Sequence, residues 1–351
     1  MLDAYALIFR AYYALIRNPR ITSKGKNTNS QFGFTNTLLD LINNQKPTHM
    51  AVCFDTAAPT ERHTDFVDYK ANRQDAPEDL TAAIPDIKRI IRGFSIPIIE
   101  YDGFEADDVI GTLSKQAEKL GYDVYMVTPD KDYGQLVSEK VKIYKPGYQG
   151  GEVEIMGPKE VCDKWCIPDV AHVIDILGLM GDAVDNIPGI AGVGQKTACK
   201  LITEYGSLEN ILENADKIKG ALGEKVRAGR EAAILSKKLA TIITNVPVEF
   251  HEEDFGLKEW NKDKLREIFT ELEFKTLGKR LLGEDFGSDI VTQRKSAGGV
   301  QADLFSGALE TTEVLEETVI ESGKNINNVE HDYELVESEG EFNSLLDALE
   351  Q

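Results

Sequence analysis

Short runs of aliphatic and β-branched residues recur through the first 150 positions of the chain. They predict strands over Met50–Asp55, Ile96–Tyr101 and Asp123–Asp130, with Val141–Lys145 as an edge strand. Between them, apolar residues return every three or four positions over Tyr5–Ile16, Phe32–Asn43, Leu80–Phe94, Asp107–Leu120 and Asp132–Val137, the spacing of helices with one buried face. Strands alternating with helices imply an α/β fold: a mainly parallel central sheet with helices on both faces. In such sheets a ligand site lies outside the carboxyl ends of the strands. Past residue 180 the pattern is helical, with a glycine-rich turn ahead of a helix over Gly194–Tyr205. The division expected is an α/β core over 1–180, a helical subdomain over 181–283, an acidic flexible linker over 284–330, and over 331–351 the first strand and helix of a further domain.

Net charge changes this picture only once it is divided. The chain of 351 residues carries 60 Asp and Glu against 39 Lys and Arg, a net −21 that by itself argues against nucleic acid as a partner. Residues 284–351 hold 17 of those acids and three of the bases. That segment has few aromatics and little periodicity until Tyr333-Glu334-Leu335-Val336, after which Phe342, Leu345, Leu346 and Leu349 follow helical spacing. The other 283 residues keep 43 acids against 36 bases, a net of only −7. No apolar stretch approaches the roughly 18 residues that span a bilayer, so no membrane partner is expected. An acid at Asp3 and a base at Arg10 do not suit a secretory leader. Four scattered cysteines read as reduced thiols in a cytoplasm. Cys162, Cys166 and His172 make three zinc-type ligands where a structural site needs four, so ordinary packing is the reading preferred.

The candidate chemistry stands at the strand ends. Met50–Phe54 runs into Asp55, Ile98–Tyr101 is followed by Glu105, Asp107 and Asp108, and Val124–Val127 by Asp130 and Asp132. Asp3 belongs to the same pattern with almost no strand before it, which suggests a first strand that is mostly missing. Asp182 and Asp185 follow a predicted helix. Helix capping accounts for one acid after a strand, not for doublets after several. Nine like charges at one mouth need cations, and an all-oxygen set suits Mg²⁺ or Mn²⁺. With the nine set aside the body holds 34 acids and 36 bases, compatible with a nucleic-acid partner.

Two basic residues, Lys70 and Arg73, share one face if 69–73 is helical, beside Tyr69 and just past Asp55. They are candidate contacts to a phosphate and its developing charge. In Ile187–Ala198, Gly192 and Gly194 permit a tight turn whose backbone amides could approach a phosphate at a helix start. No G-x-x-x-x-G-K-[ST] loop and no strand-linked G-x-G-x-x-G occurs, which excludes the common nucleotide-cofactor readings.

Five motifs in order, Asp3-Ala4-Tyr5-Ala6-Leu7-Ile8-Phe9-Arg10-Ala11, Tyr69-Lys70-Ala71-Asn72-Arg73, Gly103-Phe104-Glu105-Ala106-Asp107-Asp108, Asp130-Lys131-Asp132 and Gly181-Asp182-Ala183-Val184-Asp185-Asn186-Ile187-Pro188-Gly189, resemble the 5′ nuclease domain of the bacterial DNA polymerase I family over roughly residues 1–283. The resemblance implies a PIN-like nuclease core. It implies a helix-hairpin-helix at Pro188–Ala198 that grips duplex phosphates through Gly189, Gly192, Gly194, Lys196 and Thr197 and holds K⁺ on its carbonyls. It implies two Mg²⁺ or Mn²⁺ ions, the first on Asp55, Glu105, Asp107 and Asp130 and the second on Asp132, Asp182 and Asp185, with Asp3 and Asp108 completing the shell. Lys70, Arg73 and Arg10 would orient the phosphate, with Tyr69 on the DNA. The partners implied are DNA 5′ ends, flaps or nicks and RNA primers, and covalently linked polymerase domains in a full-length protein of the bacterial cytoplasm and nucleoid. Residues 331–351 resemble the start of that family's 3′-5′ exonuclease-like domain. Glu61 departs from the pattern, standing where relatives carry phenylalanine. A small ribonuclease with a similar acidic core lacks the hairpin, and a silent DNA-binding module would not keep all nine carboxylates.

Overall fold

The computed structural model describes residues 1–147, 151–283 and 285–286. The expectations for 331–351 and for nearly all of 284–330 fall outside the described residues. Six strands form one sheet: β1 (Leu2–Asp3), β2 (Val52–Phe54), β3 (Ile98–Glu100), β4 (Val124–Val127), β5 (Val141–Lys145) and β6 (Glu154–Met156). Their order is β3-β2-β1-β4-β5-β6, and every pairing is parallel except β5 with β6. Val141–Lys145 is therefore not the edge. The edge is β6, whose run Glu154-Ile155-Met156 is too short and too exposed to announce itself.

Strand alternation separates the two faces. Ala51, Cys53, Val124, Met126, Val141 and Ile143 enter one apolar cluster with helices Ala106–Lys119, Val173–Met180 and Arg230–Ala240. Leu2, Val52, Phe54, Val127 and Tyr144 enter a second with helices Ala4–Ala14, Asn29–Asp40, Glu78–Gly93 and Lys262–Glu271. The first cluster continues through Ile187, Ile190 and Leu201, so apolar packing runs across position 180. The last helices return to the N-terminal half. Asn261 N donates to Gly93 O at 2.8 Å, and Arg89 reaches Glu271 at 2.8 Å.

The helices expected from periodicity are present with small shifts, and two differ in kind. Asp132–Leu136 is a 3₁₀ helix, and Asn29–Asp40 ends in a π turn over Leu41–Gln45. Residues 67–72 form successive turns rather than a helix, because Lys70 takes a left-handed backbone (φ +58°). β1 is two residues long, yet it sits at the sheet centre, pairing Leu2 with Val52 on one side and Val127 on the other.

Candidate active site

Four adjacent parallel strands, β3-β2-β1-β4, all end on the same side, and this is what gathers their trailing carboxylates. Asp3 caps helix Ala4–Ala14 by accepting from Ala6 N (3.2 Å). It also accepts from Thr128 Oγ1 (3.0 Å) and Tyr133 OH (3.4 Å), so three donors hold it despite the short strand. Asp55 accepts from Ala106 N at 2.8 Å, which ties the end of β2 to the start of the helix after β3. Asp130 accepts from Asp132 N at 2.9 Å, the local turn that sets the doublet.

Burial and mutual repulsion leave these acids short of compensation. Burial foremost pushes Asp3 up to about 7, with Asp55 and Asp130 adding to it against the bonds from Ala6 and Thr128. Asp132 is pushed up to about 7 by burial and then by Asp130. Asp55 is raised for the same first reason, and Asp130, though exposed, is raised by desolvation first and in part by the neighbouring Asp185 and Asp182. Asp107 is raised well above the usual carboxylate range, by burial and by neighbouring Asp108 and Glu105. Its buried Oδ1 has no hydrogen-bond partner. Glu105 goes the other way: burial would raise it, but Lys70 Nζ at 2.9 Å and the Arg62 guanidinium at 3.5 Å bring it below its ordinary value.

The second group of acids arrives on a small hairpin. Asp182 and Ile187 exchange backbone bonds of 2.9 and 2.8 Å, closing a tight turn over 183–186. That turn docks on the basic segment: Lys70 N donates to Asp185 O (2.9 Å), Asn72 Nδ2 to Ala183 O (2.6 Å) and Asn186 Nδ2 to Asp68 O (2.7 Å). Arg73 pairs with Asp185, and Lys131 bridges Asp132 (3.2 Å) and Asp182. Among the described residues no three His, Cys, Asp or Glu side chains form a ready ligand set for a metal ion. The cations of Lys70, Arg73 and Lys131 stand among the acids instead.

Several expected residues take different places. Both oxygens of Asp108 are held by Arg62, at 2.8 and 2.7 Å, and they also accept from Glu105 N and Ile243 N. Asp108 is thus a buried structural anion, not a carboxylate free for metal. Tyr69 is buried and donates to Glu105 at 3.1 Å, so it supports the site from beneath instead of lining a DNA surface. Arg10 donates to the carbonyl of Gly147. Glu61, in place of an aromatic, lies at the surface near Lys238 (3.5 Å).

In the glycine turn only part of the expectation holds. Gly192 is left-handed (φ +73°), whereas Gly194 is extended (φ −102°), with open space where a Cβ would stand. It is the N-cap of helix Gln195–Tyr205, followed by exposed Gln195 and Lys196 and half-buried Thr197. Gly189 serves packing: φ is +60°, a Cβ would stand 2.3 Å from Gly181 N, and its own amide donates to Ser236 Oγ at 2.8 Å.

Sequence reasoning missed Arg62 and Lys131 as parts of the site. Lys131 was visible between two acids. Nothing in the sequence distinguishes Arg62 from a solvated surface arginine.

A parallel sheet thus ends in partly neutralised, largely half-buried carboxylates and is joined through a tight turn to a helical segment. Residues 1–166 match the family described as 5′-3′ exonuclease, N-terminal resolvase-like domain, and residues 169–263 match 5′-3′ exonuclease, C-terminal SAM fold. The chain belongs to the 5′-3′ exonuclease family. It is 40% identical over 281 residues to a 5′-3′ exonuclease of Aquifex aeolicus, covering 80% of this chain and 94% of that protein. It is 40% identical over 303 residues to DNA polymerase I of Caldicellulosiruptor bescii, covering 85% of this chain but 35% of the relative. The chain thus spans about a third of the polymerases it matches. The fold is shared with a bacteriophage T5 flap endonuclease solved with DNA and metal ions (TM-score 0.58, 21% identity, 69% of this chain and 88% of that one). It is also shared with the catalytic core of Rad2 solved with DNA substrate (TM-score 0.53, 17% identity, 77% and 86%). No helix among the described residues is long and apolar enough to cross a membrane.

Proposed function

We propose that this member of the family is a two-metal, structure-specific nuclease. It would remove nucleotides or short flaps from DNA 5′ ends, and RNA primers, using Mg²⁺ or Mn²⁺. The observation that carries the metal reading is Asp107: a half-buried carboxylate with one buried, unpartnered oxygen, among acids that desolvation and mutual repulsion have lifted. Such a group is stabilised by a hard cation, and the donor set is all oxygen. Asp55, Glu105, Asp107 and Asp130 would hold one ion; Asp132, Asp182 and Asp185 would hold the other, with Asp3 behind them. Bound there, the ions would activate water and give Lewis-acid stabilisation to the leaving oxygen.

The chain's own residues do the rest. Lys70 and Arg73 now pair with Glu105 and Asp185. With those acids neutralised, both side chains would be free to turn to the scissile phosphate. Lys131 must likewise yield its place between Asp132 and Asp182. The left-handed backbone of Lys70, bonded to Asp185 O, fixes where its side chain starts. The open N-terminus at Gly194, with Lys196 and Thr197, would meet duplex phosphates at a distance from the cut, and K⁺ on the turn's carbonyls would assist. We assign 1–180, together with Asp182 and Asp185, to catalysis and the rest of 181–283 to duplex binding. In a longer parent chain, linked polymerase domains of a bacterial cytoplasm would follow.

The test is a labelled 5′-flap duplex incubated with the protein, with and without Mg²⁺ and with chelator. Cleavage at the flap junction that chelator abolishes is the expected result. Cutting that persists without divalent ions would overturn the two-metal reading.

A further inference from the structure

Cys166, which the sequence reading set aside as ordinary packing, and Cys199 are brought close by the fold. Cys166 is the left-handed C-cap (φ +54°) of helix Pro158–Trp165 and is exposed. Cys199 lies buried on helix Gln195–Tyr205, its Sγ 2.7 Å from the carbonyl of Trp165, the residue just before Cys166. Four residues earlier on the same helix, Gln195 Nε2 donates to Lys164 O at 2.9 Å. The helix therefore docks on two successive carbonyls of one helix end, which holds Cys199 against Cys166. Both thiols are free: Cys166 Sγ donates to Asp163 O at 3.7 Å, and Cys199 Sγ rests on the carbonyl of the residue next to Cys166.

We propose that Cys166 and Cys199 form a reversible disulfide when the protein meets a low-molecular-weight disulfide of the glutathione class. Exposed Cys166 leads. It gives its proton to solvent, and its thiolate attacks one sulfur of the reagent, releasing a reagent thiolate and leaving a mixed disulfide. Burial, and then nearby Cys166, push the Cys199 thiol up, so Cys199 is a poor first attacker and acts as the resolving thiol. It loses its proton, attacks the Cys166 sulfur and releases the second reagent thiolate. The two protons end on two reagent thiols, the reagent is reduced, and the protein dithiol is oxidised by two electrons.

The bridge would close the segment 166–199, which contains Asp182, Asp185 and the whole glycine turn, and would pin helix Gln195–Tyr205 to helix Pro158–Trp165. Restricting the unfolded chain in this way raises thermal stability. In a reducing compartment such a bond is a response to oxidant rather than a permanent staple. This site stands independently of the nuclease reading.

The test uses the full chain, reduced, then incubated with excess oxidised glutathione, alkylated, and digested without reduction for mass spectrometry. The expected result is a joined Cys166–Cys199 peptide pair, a thiol count falling from four to two, and a Tm several degrees higher that dithiothreitol reverses. Cys199→Ser should stop at a single glutathione on Cys166, and Cys162→Ser should leave the bridge intact. A Cys162–Cys166 bridge, a glutathione that stays on Cys166 in the unaltered chain, a link between two chains, or no loss of thiols would each overturn the proposal.

Discussion

Arg62 holds Asp108 in a two-pronged fork, Nη1 to Oδ2 at 2.8 Å and Nη2 to Oδ1 at 2.7 Å, with both side chains buried. The same guanidinium donates to the carbonyls of Leu239 (3.0 Å) and Thr241 (2.9 Å), while Asp108 accepts from Glu105 N and Ile243 N. One ion pair therefore joins three parts of the chain: the short helix Glu61–Asp65, the cap bearing Glu105 and Asp107, and the exit of helix Arg230–Ala240. Removing one partner strands the other charge in the interior. Arg62→Ala and Asp108→Asn should each cost about 3–5 kcal/mol of stability, read as a lowered urea midpoint. Arg62→Lys should recover only part, because an ammonium cannot serve four acceptors as the fork does. Full stability in Arg62→Ala would remove the node from this account.

Asp107 is expected to behave in the opposite way to its neighbour. Its Oδ1 has no partner and its ionised form is disfavoured by burial, so Asp107→Asn should leave stability unchanged or improved. Turnover on a flap substrate should fall by orders of magnitude, with metal-free DNA binding equal or tighter. Paired denaturation and single-turnover measurements separate the two residues. A loss of stability in both, with turnover intact, would make Asp107 a structural cap as well.

Without metal, stability should fall as pH rises. Asp3 and Asp132 sit near 7 in the folded chain against 3.8 for the ordinary group, so between those values the folded state binds more protons than the unfolded one. Tm in chelator should be highest near pH 4–5, decline through pH 7 and level off above it, apart from acid losses at groups such as Glu105 whose folded pKa is lowered. Mg²⁺ should raise Tm most at the alkaline end, where the acids are ionised. A Tm in chelator that climbs from pH 5 to 8 would contradict the buried-acid picture.

The glycine turn divides into a packing half and an open half. Gly189→Ala places a Cβ 2.3 Å from Gly181 N in a left-handed backbone, and should destabilise the fold severely. Gly194→Ala meets nothing within 4 Å and should fold normally. Gly194→Val should fold too, while weakening long-duplex substrates and flattening the salt dependence of their binding, with short substrates cut as before. Binding isotherms across a salt series on long-arm and short-arm flaps distinguish the cases. Equal losses on both substrates would confine the turn to supporting the fold.

What the sequence determined by itself was the periodic part of the molecule. Strand alternation at Ala51–Phe54 and the three-four spacing of Val109, Ile110, Leu113 and Ala117 on Ala106–Lys119 are local properties of the backbone, so they showed in the sequence as strand, helix and buried face. The acids at the strand ends were legible for the same reason, since a parallel sheet puts all such ends on one side. The tertiary structure decided which of those acids are spoken for. Asp107 and Asp108 are adjacent and chemically identical, yet the helix turns one toward Arg62, forty-six positions away, and leaves an oxygen of the other without a hydrogen-bond partner. Tyr69 went inward to Glu105, Gly194 proved extended where Gly192 is left-handed, and Cys199 met the carbonyl beside Cys166 across more than thirty positions. Each of these turns on a contact between distant segments, and such contacts have no period for a sequence to display.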